Sequence, residues 1–256
     1  MKKTILAFLM SMLPVLAMAA GGGMKNYAVD IDLNNKASLQ NGAKLFVNYC
    51  LSCHSAQAMR YNRMAKDLGM TEEQVKNNLI FTADYSKKPE GETNKVGSLM
   101  EVAMWTKDAK SWFGTKVPDL SVVARARGAD WLYTYLTTFY IDESRPFGVN
   151  NQRFPSVGMP HVMWELEGLK KAVYKTEKGA DGKDHKVITG FETVVPGKMS
   201  KVEFDSAMRD LVNYMVYMGE PALLVRKTMG VWVLLFLVIF FFVAYALKKE
   251  YWKDIH

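Results

Sequence analysis

Cys50 and Cys53 are the only cysteines of the chain, and they stand in Tyr49-Cys50-Leu51-Ser52-Cys53-His54. Cys-x-x-Cys-His has the spacing for covalent capture of a c-type haem. Each thiol can add across one haem vinyl group, giving two thioethers. Two intervening residues let one turn of chain span both vinyl positions. The histidine that follows is then held beneath the iron, where an imidazole nitrogen can bind it. One copy of the motif implies one haem. Three other uses of these residues fit less well. A thioredoxin-like dithiol sits beside a βαβ pattern, and none follows here. A structural zinc site takes about four Cys/His ligands, yet beyond Cys50, Cys53 and His54 the chain offers only His161, His185 and His256. A disulfide across two residues constrains almost nothing.

An iron that only passes electrons needs a second axial ligand, and methionine there raises the reduction potential. With 17 methionines in the chain, residue type alone selects none of them. Met159 is set apart by its place in Pro155-Ser156-Val157-Gly158-Met159-Pro160. Gly158 lets backbone approach a ligand closely, and Pro160 biases Met159 toward extended geometry. His161 is the rival and would give a bis-histidine, lower-potential haem. The two haem propionates need donors when partly buried. Arg125 and Arg127, in Ser121-Val122-Val123-Ala124-Arg125-Ala126-Arg127, could supply bidentate hydrogen bonds. A solvated helix face accounts for the same spacing equally well.

The elements that must position these residues are mostly helical. Ser38 to Tyr49 leads into the motif, with Leu39, Ala43, Phe46 and Val47 at helical spacing. Gly42 leaves room for a second helix to approach. A capping box at Ser200-Lys201-Val202-Glu203 opens a candidate partner whose apolar face is Phe204, Met208, Leu211, Met215 and Met218. Gly219-Glu220-Pro221 ends or hinges it. A second capping box, Thr71 to Gln74, predicts a helix over Glu72 to Leu79. Pro118-Asp119-Leu120-Ser121 is expected to start a helix toward Arg127, and Asp130 to cap another over Trp131 to Phe139. From Lys171 to Val195 alternating residues flank Lys178-Gly179-Ala180-Asp181-Gly182, which reads as a β-hairpin or loop insertion.

The two ends read differently. Met1-Lys2-Lys3, the apolar run Ile5 to Leu16 and the A-x-A site Ala17-Met18-Ala19 form an export signal, too short to span a bilayer. Thr228 to Leu247 carries no charge and is flanked by Arg226, Lys227, Lys248, Lys249, Tyr251 and Trp252, as a membrane anchor is. The expected plan is a cleaved signal peptide over 1–20, a periplasmic domain over 21–221, a transmembrane anchor over 222–247 and a cytoplasmic tail over 248–256. The setting is a bacterial inner membrane, with thiols exposed to an oxidising compartment. Net charge is +7. The positive residues are scattered, and no basic stretch with interleaved aromatics points to nucleic acid.

Together these segments resemble the cytochrome c1 family, the haem c subunits of the quinol–cytochrome c oxidoreductase (cytochrome bc1) complex. The resemblance is carried by Leu39 to Phe46 running into Cys50–His54, by Met59-Arg60-Tyr61, by Pro118 to Ser121 with Arg125-Ala126-Arg127, by Gly158-Met159-Pro160 and by the C-terminal anchor. It implies a mostly α c-type cytochrome domain with a small β-hairpin insertion and one C-terminal transmembrane helix. It implies His54 and Met159 as axial ligands and Arg127, ahead of Arg125, on a propionate; Pro118 and Tyr133 line up with haem-wall residues. The implied partners are cytochrome b, a Rieske iron–sulfur protein that reduces the haem, and a cytochrome c that accepts the electron, in a complex expected to be dimeric. On this reading the chain is a redox carrier and no enzyme on its own. Mitochondrial relatives present acidic faces to a basic cytochrome c, whereas no long acidic run is visible here. Other readings are a membrane-anchored monohaem c subunit of a terminal oxidase, a peroxidase-like enzyme with an open iron position, and a purely structural anchor.

Overall fold

A computed structural model of the chain describes residues 24–82, 95–102, 104–179 and 182–254. The export segment expected over 1–20 lies outside them, as do Ala180 and Asp181 of the expected turn. Helix α1, Lys36–Tyr49, begins two residues earlier than the apolar pattern suggests, because Asn35 caps it by accepting the Ser38 N–H. Helices α2, Tyr61–Leu68, and α3, Glu72–Leu79, follow, the latter opened by the Thr71/Gln74 capping box. The chain continues through α4, Thr106–Phe113, α5, Val123–Arg127, α6, Ala129–Thr137, and the one-turn α7, Trp164–Glu167. Helices α8, Lys201–Gly219, and α9, Leu223–Tyr251, complete it.

The core forms where α1 crosses α8. Leu39, Ala43 and Phe46 of α1 and Phe204, Met208, Leu211 and Met215 of α8 are all buried, each large side chain contributing roughly 1.5–3 kcal/mol relative to exposure. Gly42 sets how closely they cross: a Cβ there would lie 2.1 Å from the Asp210 carbonyl oxygen and 2.7 Å from Tyr214 Cβ. Polar groups fix the register of the crossing. Asp210 accepts from Ser38 Oγ at 2.6 Å and from Asn41 Nδ2 at 2.7 Å, while Asn213 Nδ2 donates to the Asp32 carbonyl at 2.8 Å. The Ser200/Glu203 capping box opens α8 as its sequence predicts.

Among the described residues, three two-stranded antiparallel sheets decorate the helices. Strand β1, Ala56–Arg60, pairs with β2, Leu99–Met100, and β3, Phe139–Ile141, with β4, Val149–Asn151. The third is the long hairpin of β5, Gly168–Lys178, and β6, Asp184–Pro196, paired from Gly168↔Pro196 to Lys178↔Asp184. The expected insertion is therefore a hairpin, its register shifting between Leu169 and Lys170 and between Val173 and Tyr174, and it is rooted where Gly168 takes a φ of 91° and a Cβ would sit 2.2 Å from the Val195 carbonyl oxygen.

Two expected helix starts are corrected. Pro118 to Ser121 is not helical, and α5 begins at Val123. Asp119 instead accepts from the Ser121 N–H at 2.8 Å and the Gln57 N–H at 2.9 Å, so its side chain serves a tertiary contact. Asp130 lies inside the first turn of α6, whose N-cap is Gly128, and its carboxylate accepts the Val29 N–H at 3.0 Å. Of α9, residues Thr228–Tyr251 are long and apolar enough to cross a bilayer, and none of that stretch is buried in the protein. Its apolar surface is what a hydrocarbon layer of roughly 30 Å would cover.

Candidate functional site

One end of α1 carries the motif. The Cys50 N–H closes the helix on the Phe46 carbonyl at 2.9 Å, and the His54 N–H then reaches back to the Cys50 carbonyl at 2.8 Å. Cys50, Cys53 and His54 are thus wound on a single turn continuing from the helix. Cys50 is buried and Cys53 half-buried. Burial first, and the neighbouring Cys53 second, push the Cys50 thiol up to about 12. Burial therefore favours the neutral thiol at Cys50.

His54 is oriented from 64 residues away: its Nδ1 lies 2.8 Å from the Pro118 carbonyl oxygen. With the proton on Nδ1 the ring donates to that carbonyl and leaves the Nε2 lone pair for a metal. Burial holds the imidazole below its ordinary range, opposed by the Pro118 bond and the Asp119 charge. A neutral ring is the form that ligates. Pro118 is held in place by its neighbours. The Leu120 N–H donates to the Ser55 carbonyl at 2.8 Å, and Ser121 Oγ accepts the Ala58 N–H at 3.0 Å.

The opposite wall comes from the loop after β4. Tyr135 Oη donates to Met159 Sδ at 3.2 Å, fixing the thioether. Ser156 takes a φ of 63°, the sole positive value at a non-glycine residue among the described residues, and such a conformation costs about 1–3 kcal/mol. Its N–H donates to Asn150 Oδ1 at 2.8 Å, and its carbonyl accepts Arg145 Nη2 at 3.0 Å. His161 faces the other way. It is 6% exposed and stacks on Phe139 at 5.0 Å between ring centres. Its Nε2 lies 3.0 Å from Glu167 Oε2, off the line of a good hydrogen bond. Glu167 also pairs with Lys170, whose Nζ donates to the Thr137 carbonyl at 2.9 Å.

Between these walls lies a mostly apolar cavity of about 330 Å³, lined by Cys53, His54, Pro118, Tyr135, Phe154 and Met159 among others. His161 does not line it. A larger cavity of about 530 Å³ at the hairpin root is lined by Tyr133, Lys170 and Phe191 and holds none of the motif residues. Tyr133 does not line the cavity that His54 and Met159 share, whereas Tyr135 does. A signal for Tyr135 was present: Trp131 and Tyr135 are four apart on α6 and stack at 5.2 Å. Arg127 places its guanidinium 5.2 Å from the centre of the Trp131 ring. Arg125 points to the end of α8, 3.9 Å from Glu220, with its side chain 60% exposed.

The donor set fits a haem. Among the described residues no three His, Cys, Asp or Glu gather to hold a bare ion. An imidazole and a thioether face one apolar slot that Cys53 also lines, with Cys50 on the same turn of chain, and this donor set would hold a haem. Fold and site together define a c-type cytochrome with one membrane-anchoring helix. The chain belongs to the cytochrome c1 family, whose profile matches residues 29–171 and 195–255 and so passes over most of the hairpin. It is 47% identical to cytochrome c1 of Allochromatium vinosum over 256 residues, covering 100% of both chains. It is 46% identical to a protein named ammonia monooxygenase gamma subunit from Nitrosomonas europaea over 255 residues, covering 100% of this chain and 98% of that one. Cytochrome c1 of Rhodospirillum rubrum is 24% identical over 245 residues, covering 86% and 83%. The chain is accordingly a haem c electron carrier.

Proposed function

We propose that the chain is the haem c subunit of a quinol–cytochrome c oxidoreductase, relaying electrons from a Rieske-type iron–sulfur protein to a cytochrome c. The observation that carries this is the convergence of His54, Met159 and Cys53 on one cavity. Haem supplies one-electron chemistry at iron. Cys50 and Cys53 would hold it covalently, His54 Nε2 and Met159 Sδ would ligate its iron, and Arg127 would serve a propionate. With both ligands supplied by the chain, the iron would be left to pass electrons and not to bind a substrate. Pro118 fixes the His54 tautomer, and Tyr135 orients the Met159 thioether, so neither ligand must rearrange when the charge changes.

The plan of the chain follows the same reading. Residues 1–20 are the export signal, 21–221 the periplasmic haem domain, 222–247 the anchor and 248–256 the cytoplasmic tail. Lys248, Lys249 and Lys253 on the tail suit the positive-inside rule. Cytochrome b is the membrane partner, and the complex is dimeric. Docking of the soluble partner rests on local patches around the cavity rim, since no long acidic run is present.

The name of the Nitrosomonas europaea relative supports a second reading, in which the chain serves an ammonia monooxygenase. Isolation in mild detergent separates the two. A cytochrome b and an iron–sulfur protein co-purifying at equal stoichiometry is the expected result. Co-purification with monooxygenase subunits, and neither of those, would replace the first reading with the second.

A further inference from the structure

The end of α4 stands against the methionine loop. A Cβ on Gly158 would lie 3.6 Å from Thr115 Cγ2 and 3.8 Å from the Phe113 carbonyl oxygen, and Phe113, Thr115 and Lys116 line the haem slot with Met159. Lys107, Lys110 and Phe113 fall at i, i+3 and i+6 of that helix and share one face. A stripe of lysine therefore runs up to the slot, and Lys107, Lys110 and Lys116 are all exposed. Among the described residues no carboxylate forms an ion pair with any of the three. Lys107 lies instead over the Trp105 ring, 4.2 Å from its centre. The carboxylates nearby are engaged inside the fold. Asp119 accepts the Gln57 and Ser121 N–H groups, and Asp108, in the first turn of α4, is half-buried. From Trp105 to Pro118 the chain carries three lysines and one acid. Across the slot, residues 142–153 balance Asp142 and Glu143 against Arg145 and Arg153, so the α4 side of the mouth is the basic one. Phe147 meets Phe113 there at 5.7 Å between ring centres and is 38% exposed. An exposed aromatic side chain within a charged rim is the make-up of a protein-binding surface.

We propose that the lysine stripe of α4 is where the electron acceptor docks, and that this acceptor is a cytochrome c whose own haem edge is ringed by carboxylates. A partner must come to the slot to exchange electrons with it. Unpaired cations at the mouth attract a negative face and repel a positive one. The inference rests on the electron-relay reading and adds to it the sign of charge that the partner carries.

The test uses the full-length holoprotein in detergent, reduced and then mixed with either of two oxidised probes in stopped flow. One probe is mitochondrial cytochrome c, which is basic. The other is the same protein with its lysines succinylated, which is acidic. Second-order rates are followed from low to high salt. The succinylated probe is expected to react faster at low salt and to slow as salt is added, while the basic probe speeds up. Lys107→Glu combined with Lys110→Glu should slow the succinylated probe about tenfold at low salt, and the gap from wild type should close at high salt. Lys186→Glu reverses an exposed charge on the hairpin and should stay within about twofold of wild type. Rates in the double variant equal to those of Lys186→Glu would overturn the proposal, as would a wild-type preference for the basic probe at low salt. A double variant that passes electrons to the succinylated probe at the wild-type rate, but is itself reduced slowly by an iron–sulfur protein, would assign the stripe to the donor and overturn it too. If the double variant does not accumulate, Lys110→Gln takes its place, with about a threefold loss expected and the wild-type rate overturning the proposal. A wild-type holoprotein that reduces neither probe at any salt is a different failure, that of the relay reading, and the proposal falls with it.

Discussion

The two walls of the haem slot are built in opposite ways. The wall carrying Cys50, Cys53 and His54 continues directly from α1, and that helix is locked against α8 by a close crossing at Gly42. The wall carrying Met159 has no regular element of its own. It is an irregular loop held at separate points by Tyr135, Asn150, Arg145 and the buried Glu167 group. One wall inherits rigidity from helix packing, and the other receives it from side chains far along the chain. The attachment side should therefore fail only with the whole domain, whereas the methionine side can fail by itself.

Substitutions can break that contrast in turn. Gly42→Val has the largest expected effect, because the new side chain meets backbone at the α1–α8 crossing. Overpacking there costs about 3 kcal/mol, so denaturant unfolding and haem yield should both drop, taking the two walls together. Glu167→Gln attacks the methionine wall alone. It strips the charge partner from Lys170 in a buried site, where a broken pair costs about 3–5 kcal/mol. Much of that cost should be confined to the loop. The far-red methionine signal should vanish at lower denaturant than in wild type while the haem stays attached and His54-ligated. Simultaneous loss of both signals would erase the distinction between the walls.

Smaller changes sharpen it. Tyr135→Phe removes the donor to Met159 Sδ. Stability should change by about 1 kcal/mol, and the sulfur becomes a better donor to ferric iron, so the midpoint potential should fall with the far-red signal retained. A rise in potential would count against a hydrogen bond on a ligating sulfur. Removing the hairpin tip, residues 176–186, takes out none of the residues named for either wall and lies within the segment that the family profile omits. Stability should stay within about 0.5 kcal/mol of wild type. A larger loss would assign the tip a packing role that its exposed residues do not show.

The same contrast explains what could be read from the sequence. The motif, α1, the capping boxes at Thr71 and Ser200, the apolar face of α8 and the anchor helix all depend on neighbours within a few residues, and they were legible. Helix α2 was legible too but overlooked: Tyr61, Met64, Ala65 and Leu68 repeat at helical spacing, and Gly69 closes it with a φ of 74°. Pro118 to Ser121 could not be read locally. Asp119 and Ser121, good capping residues in isolation, are used on the backbone of Gln57 and Ala58 more than 60 residues earlier. The lysine stripe of α4 gave no local signal, since only the folded chain sets Phe113 and Thr115 against Gly158. Met159 was singled out by its glycine and proline neighbours, whereas the turning of His161 away from the cavity is visible only once Phe139 and Glu167 are in place.

The central claim is that His54 and Met159 grip one iron from opposite sides. Far-red absorption of the oxidised full-length holoprotein tests it most directly, recorded for wild type, Met159→Leu and His161→Ala. The methionine–iron band should be present in wild type, absent in Met159→Leu and retained in His161→Ala. A band that survives Met159→Leu would contradict the account.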